Sequence, residues 1–121
     1  MNLENVSSHI LKSNKFSRCI TDCLQSFETC TSSIQHCLQE GGVHADPRHM
    51  SLMIECARIC QLSAEFMLSG SPYAQDLCNV CSLICEECAI SCDSIDPRDG
   101  ILKECAEFCR KCSVSCRNMG A

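Results

Sequence analysis

A chain of 121 residues holds enough apolar surface for one core, yet it offers only four Phe, one Tyr and no Trp to fill it, against fifteen cysteines. The net charge of -5 argues against a nucleic-acid partner, which needs a basic footprint. No stretch approaches the roughly eighteen apolar residues of a membrane span, and MNLENVSSHILKSNKF lacks the basic start and apolar run of a secretory signal, so a cytoplasmic location is expected.

Residues 1–12 carry only Leu3, Val6, Ile10 and Leu11 as apolar groups and read as a tail or a short accessory helix. Beyond them, Phe16, Cys19, Cys23, Ser26, Cys30, Ser33 and Cys37 recur in steps of three and four. A helix turns every 3.6 residues, so this spacing stacks them along one face. Ile20, Leu24, Phe27, Ile34 and Leu38 lie one residue further on and widen the buried stripe. The pattern predicts a helix over residues 14–38, stopped by Gly41 and Gly42.

Asp46-Pro47-Arg48 opens a second helix, expected over 47–69, because Asp is a good N-cap and Pro is tolerated at the first helical position. Its seam reads His49, Met53, Cys56, Cys60, Ser63 and Met67, flanked by Leu52, Ile59, Leu62 and Phe66, and Gly70 ends it. Ser71-Pro72 repeats the device. It should start a third helix over 72–94, which holds Cys78, Cys81, Cys85, Cys88 and Cys92. Asp96-Pro97-Arg98 should start a fourth over 97–118, with Leu102, Cys105, Cys109, Cys112 and Cys116 on a seam that Met119 continues. Four helices with short links predict an all-α, antiparallel up-down-up-down four-helix bundle over residues 13–121. The first and third loops then share one end, and the second loop and the termini share the other.

The seam of a bundle is its buried side, so the core is expected to be sulfur. Cysteines at i and i+4 hold their Cβ atoms roughly 5–6 Å apart, too far for a disulfide that prefers about 3.5–4.5 Å. The odd count and the absent signal also oppose a disulfide framework. Thiolate is a soft ligand and selects Cu(I), Zn(II) or iron–sulfur clusters. A structural zinc site is a closed tetrahedron of four ligands, whereas these rows show no partition into fours. The ferredoxin spacing Cys-x2-Cys-x2-Cys-x3-Cys-Pro is missing too. Cu(I) accepts two or three sulfurs without a demanding geometry, so stacked i, i+4 pairs describe a tube of sites. All fifteen cysteines are expected ligands.

On these residues the chain resembles the bacterial copper storage proteins. The resemblance spans roughly residues 14–118. It is carried by Gln-His-Cys at 35–37, Glu-Cys-Ala-Arg-Ile-Cys at 55–60, the five-cysteine run from Cys78 to Cys92 and the four-cysteine run from Cys105 to Cys116. It implies a cytosolic bundle that stores many Cu(I) ions per chain through core thiolates and assembles as a homotetramer. Ser26, Ser33 and Ser63 depart from it at seam positions, which lowers the implied capacity. Histidines common near the third loop in cytosolic members are replaced here by Asp93-Ser94-Ile95-Asp96-Pro97.

Thioether and imidazole bind Cu(I) more weakly than thiolate, which suits a port that receives ions and passes them on. His36, Met50 and Met53, near the first loop, are the expected port ligands. His44 and His49 read as solvated loop residues, Met67 and Met119 as plugs of the far end, and His9 as incidental. No base and nucleophile pair with an orienting partner is visible, so catalysis is not expected. A metallothionein-like zinc or cadmium protein is the alternative, but metallothioneins generally lack the paired stripes and capped starts seen here. A copper chaperone of the twin Cys-x9-Cys type would use Cys78 and Cys88, but Cys105 and Cys116 on the partner helix stand at x10.

Overall fold

Glycine, proline and aspartate build the turns that divide the chain into four helices. The computed structural model describes the backbone of residues 3–120 and the side chains of residues 16–119. Helix α1 spans Leu3–Glu40, a short 3-10 turn spans Gly42–Ala45, and α2 (Pro47–Leu68), α3 (Ala74–Ile95) and α4 (Gly100–Gly120) follow. No strand occurs among the described residues.

Gly41 ends α1 with φ of 69°, a left-handed conformation open to glycine at little cost, and its N–H bonds to the Cys37 carbonyl at 3.0 Å. Asp46 caps α2 as predicted: its side chain accepts from the His49 N–H at 3.2 Å, with Pro47 in the first turn. The other two starts differ from the pattern. At α3 the Ser71 hydroxyl accepts from the Tyr73 N–H at 3.1 Å, and the Ala74 N–H reaches the Ser71 carbonyl at 3.2 Å. Pro72 therefore sits in a turn, and the helix begins at Ala74 rather than at residue 72. At α4, Asp96 takes the Arg98 N–H in a tight turn of its own, and Asp99 caps the helix by accepting from Ile101 at 2.9 Å and Leu102 at 3.2 Å. The start moves from residue 97 to Gly100. Helix α1 runs on to Glu40 and back to Leu3, so the stretch read as a tail or accessory helix is continuous with it. The side chains of Leu3, Val6, His9, Ile10 and Leu11 lie outside the described residues.

Each helix packs against its two chain neighbours, with α4 closing the ring on α1. The links are short, so neighbours run antiparallel, which is the predicted bundle. Its axis is lined by sulfur. All fifteen cysteines are buried, joined by Met53, Met67, Leu102 and the small Ala57, Ala64, Ala74, Ala89 and Ala106. The larger hydrophobes Phe16, Ile20, Phe27, Ile34, Ile59, Phe66, Ile84 and Ile95 pack around that axis, half-buried. Apolar burial at the margin frees the centre for thiols.

This apolar margin and the helix caps predict that the fold forms without metal. A reduced, chelated sample should give a strongly helical circular dichroism spectrum. Leu102→Ala, which empties the site of a fully buried leucine, should cost the metal-free protein about 2–5 kcal/mol in denaturant titration. A coil spectrum that becomes helical only on adding metal would point to a metallothionein-like system.

Candidate metal centre

Steps of three and four turn every cysteine of a helix toward the same axis, and four such faces meet there. Helix α1 contributes Cys19, Cys23, Cys30 and Cys37, and α2 contributes Cys56 and Cys60. Helix α3 adds Cys78, Cys81, Cys85, Cys88 and Cys92, and α4 adds Cys105, Cys109, Cys112 and Cys116. All are free thiols, none more than 1% exposed.

The sulfurs meet across helices as well as along them, where Cys56 and Cys60, Cys81 and Cys85, and Cys112 and Cys116 lie 3.8–4.0 Å apart. At the end of the bundle holding the second loop, Cys116 Sγ lies 3.6 Å from Cys19 and 3.5 Å from Cys23, while the Cys78 thiol donates to Met67 Sδ at 3.8 Å. Further in, Cys60 Sγ is 3.5 Å from Cys85, 3.7 Å from Cys81 and 3.8 Å from Cys112. Cys56 Sγ is 3.6 Å from Cys85, and Cys30 Sγ is 3.6 Å from Cys109 and 3.7 Å from Cys105. Three sets of four sulfurs gather within 4.8 Å: Cys23, Cys81, Cys112 and Cys116; Cys60, Cys81, Cys85 and Cys112; Cys30, Cys56, Cys88 and Cys109. Cys19, Cys78 and Cys116 form a set of three. The rows thus do make fours in space, although none was legible in the sequence. The fours overlap, since Cys81 and Cys112 each serve two sets and Cys116 serves a four and the three. Sulfurs shared in this way suit bridged ions of low coordination number better than separate closed tetrahedra.

Buried thiols share protons: Cys56 gathers S–H donors, Cys109 foremost, and its ionisation is pushed down, as Cys112 does for Cys81. Their neighbours Cys30, Cys88 and Cys112 are pushed up in return, by Cys105, Cys105 and Cys116 respectively before any other group. At the first-loop end, burial and then the charge of Asp99 push Cys37 up to about 11. Ser26 interrupts the α1 row. Its hydroxyl accepts from Cys60 at 3.3 Å and lies 3.7 Å from Cys109 and 3.9 Å from Cys56. Ser33 and Ser63, the other seam serines, are buried with no partner for their hydroxyls among the described residues.

The histidines differ from expectation. His49, read as a solvated loop residue, is only 1% exposed. It heads the α2 seam one turn before Met53, so its ring points into the core and its Nε2 stands 3.6 Å from Cys37 Sγ. Its Nδ1 is 2.7 Å from Ser91 Oγ on α3. Burial lowers its pKa and keeps it neutral. In the Nδ1–H tautomer, which donates to Ser91, the Nε2 lone pair faces the Cys37 thiol. His44 is half-buried and shares Asp99 with His36, at 3.1 and 2.6 Å. Met53 is fully buried, and Met50 packs half-buried at the edge of the core. The three expected port residues thus differ in depth, with His36 at the rim and Met53 in the core. Periodicity carried the signal for His49. No local signal marked Asp99.

The sequence matches the copper storage proteins over residues 12–121. The chain belongs to that family. Among solved structures, a protein from Nitrosospira multiformis is 41% identical with a TM-score of 0.83, covering 89% of this chain and 96% of its own. The Cu(I)-bound form of copper storage protein 3 from Bacillus subtilis is 32% identical with a TM-score of 0.82, covering 88% and 99%. A cytosolic copper storage protein from Streptomyces lividans, solved with five coppers, shares the fold at 24% identity and a TM-score of 0.82, covering 91% and 95%.

For a copper storage protein, the raised thiols fix how loading responds to pH. A thiol pushed up, as Cys37 is to about 11, is protonated at neutral pH and must release that proton to bind metal. Loading with Cu(I) in weakly buffered solution should release roughly one proton per ion, and the apparent affinity should fall as pH falls. A pH-stat titration measures both. Loading without proton release would mean that ions are held by groups other than the thiols.

Proposed function

We propose that this chain stores copper in the cytoplasm as several Cu(I) ions held by Cys19, Cys23, Cys30, Cys37, Cys56, Cys60, Cys78, Cys81, Cys85, Cys88, Cys92, Cys105, Cys109, Cys112 and Cys116, and catalyses no reaction. The observation that carries this reading is the overlap of the sulfur groups at Cys81, Cys112 and Cys116. Charge supports it. A Cu(I) that displaces one thiol proton leaves the core no more charged than before, whereas a Zn(II) held by four thiolates leaves a buried net charge of minus two. The Cu(I)-bound relative from Bacillus subtilis and the five coppers in the Streptomyces lividans protein support the same cargo and the plural number. Sealed thiols make poor nucleophiles, which speaks against a thiol enzyme.

Assembly as a homotetramer agrees with apolar residues left on the outer faces of α3 and α4, among them Leu83 at 65%, Ile90 at 59% and Val114 at 53% exposed. No helix among the described residues is long and apolar enough to cross a membrane.

Ions enter at the end framed by the first and third loops. His36 stands at the rim, Met50 at the core edge, and His49, Met53, Cys56 and Cys60 succeed one another down the buried face of α2. Imidazole and thioether precede thiolate along that face, so each step inward meets a softer or more anionic donor.

Anaerobic titration of the reduced protein with Cu(I) against a competing chelator should saturate at a number of ions of the order of the cysteine count. Saturation at one ion per chain would sink the storage reading and favour a chaperone, and preference for Zn(II) or Cd(II) would favour the metallothionein-like alternative. Replacing Met50 and Met53 with Leu keeps the volume nearly constant and should slow loading while leaving capacity intact. Unchanged stopped-flow rates in that double variant would move the port to the Met67 and Met119 end.

A further inference from the structure

At the same end of the bundle lies a second cluster that contains no sulfur. His36 near the end of α1, His44 in the 3-10 turn and Asp99 at the head of α4 bring two imidazole nitrogens and a carboxylate oxygen within 4.8 Å of one another. His36 Nε2 and His44 Nε2 converge on Asp99 Oδ2 at 2.6 and 3.1 Å, and Asp96 Oδ2 stands 3.5 Å from His44 Nε2. The two rings meet edge to face with centroids 5.9 Å apart.

We propose that His36, His44 and Asp99 form a binding site for a borderline divalent cation of the Zn(II) type, separate from the thiolate core. The donor set selects the class: imidazole and carboxylate suit such cations, whereas Cu(I) goes to the softer thiolates a few residues away. The carboxylate is already held in place. Its other oxygen, Oδ1, takes the Ile101 and Leu102 amides at the N-terminus of α4, the outer-shell support that fixes a metal-binding carboxylate. A cation also has a way in. A cleft of about 410 Å³ between α1 and α4 has His36 on its wall together with Glu28 and Glu104, and acidic walls raise the local concentration of cations. Three protein donors from three segments, with Asp96 Oδ2 nearby, would hold such a cation as an exchangeable site does, with solvent completing its coordination.

A simple latch of two histidines on one aspartate is the competing account, and metal titration separates the two. Protein saturated anaerobically with Cu(I), so that its thiols are occupied, is titrated with Co(II) as the probe. One Co(II) per chain should bind with the ligand-field spectrum of nitrogen and oxygen donors, without a thiolate charge-transfer band, and Zn(II) should displace it. Asp99→Asn retains a side chain that can cap α4 and should weaken Co(II) binding by at least about 10-fold. His44→Ala should weaken it by at least about 10-fold while keeping the wild-type Cu(I) count. No Co(II) uptake by the wild type, undiminished uptake by His44→Ala, or a thiolate band would each overturn the proposal. The proposal does not depend on the copper-storage reading: Co(II) uptake is scored as the difference between two proteins loaded identically, and the Cu(I) count is measured on its own.

Discussion

Burying an ionised group in a dry core costs several kcal/mol unless a partner neutralises it, and a core of fifteen thiols meets that constraint at every position. Without metal, the thiols pass hydrogen bonds to one another across separations of 3.5 to 4.0 Å, so that a thiol whose ionisation is favoured, as at Cys56 and Cys81, is surrounded by neighbours whose ionisation is pushed up. Filled by a monovalent ion, the core gains no net charge, because each charge brought in displaces one proton. A divalent cargo held by closed sets of four would build up negative charge along the axis, and the overlapping sets at Cys81 and Cys112 could not all be closed at once.

A core of sulfur contributes less apolar burial than one of leucine, so stability has to come from elsewhere. It comes from the ring of half-buried Phe and Ile residues beside the seam and from alanines that fill the faces between cysteines. Stability and storage thus occupy concentric layers, with caps and glycine turns fixing the helix ends. The first and third loops are where the layers open. There the buried His49 stands beside Cys37 at the head of the thiol rows, and the half-buried His36, which meets His44 and Asp99, lines the acidic cleft. Soft donors lie inward and harder donors outward. On the two proposals above, one end of the bundle meets two classes of cation, with His36 common to the copper port and the outer site.

Most of the architecture was legible because helical periodicity is local. The steps of three and four named the buried face of each helix, and they put His49 at the head of the α2 seam; only its closeness to a loop suggested solvent. Helix starts were less legible, because more than one residue could serve as cap. Asp96 and Asp99 stand three apart, each able to cap a helix, and which one does so depends on where α4 can pack. Ser71-Pro72 resembles Asp46-Pro47, but Ser71 spends its hydroxyl on a turn. The fours of sulfur and the bond from His36 to Asp99 join segments far apart in the chain, and only packing brings them together.

The seam serines show what the rows require. A hydroxyl is a harder and far less acidic donor than a thiol, so Ser26 cannot hold Cu(I) as a cysteine would. It lies among Cys56, Cys60 and Cys109 and accepts a hydrogen bond from the Cys60 thiol, which leaves α2, α3 and α4 to supply the thiolates at that level. Ser33 and Ser63 are buried without a partner, a penalty of about 1–3 kcal/mol each that a weakly polar thiol at the same position would largely avoid. Cysteine therefore fits this seam at less cost than serine even before metal arrives, so the side chain that supplies the thiolate chemistry is also one that the metal-free bundle tolerates.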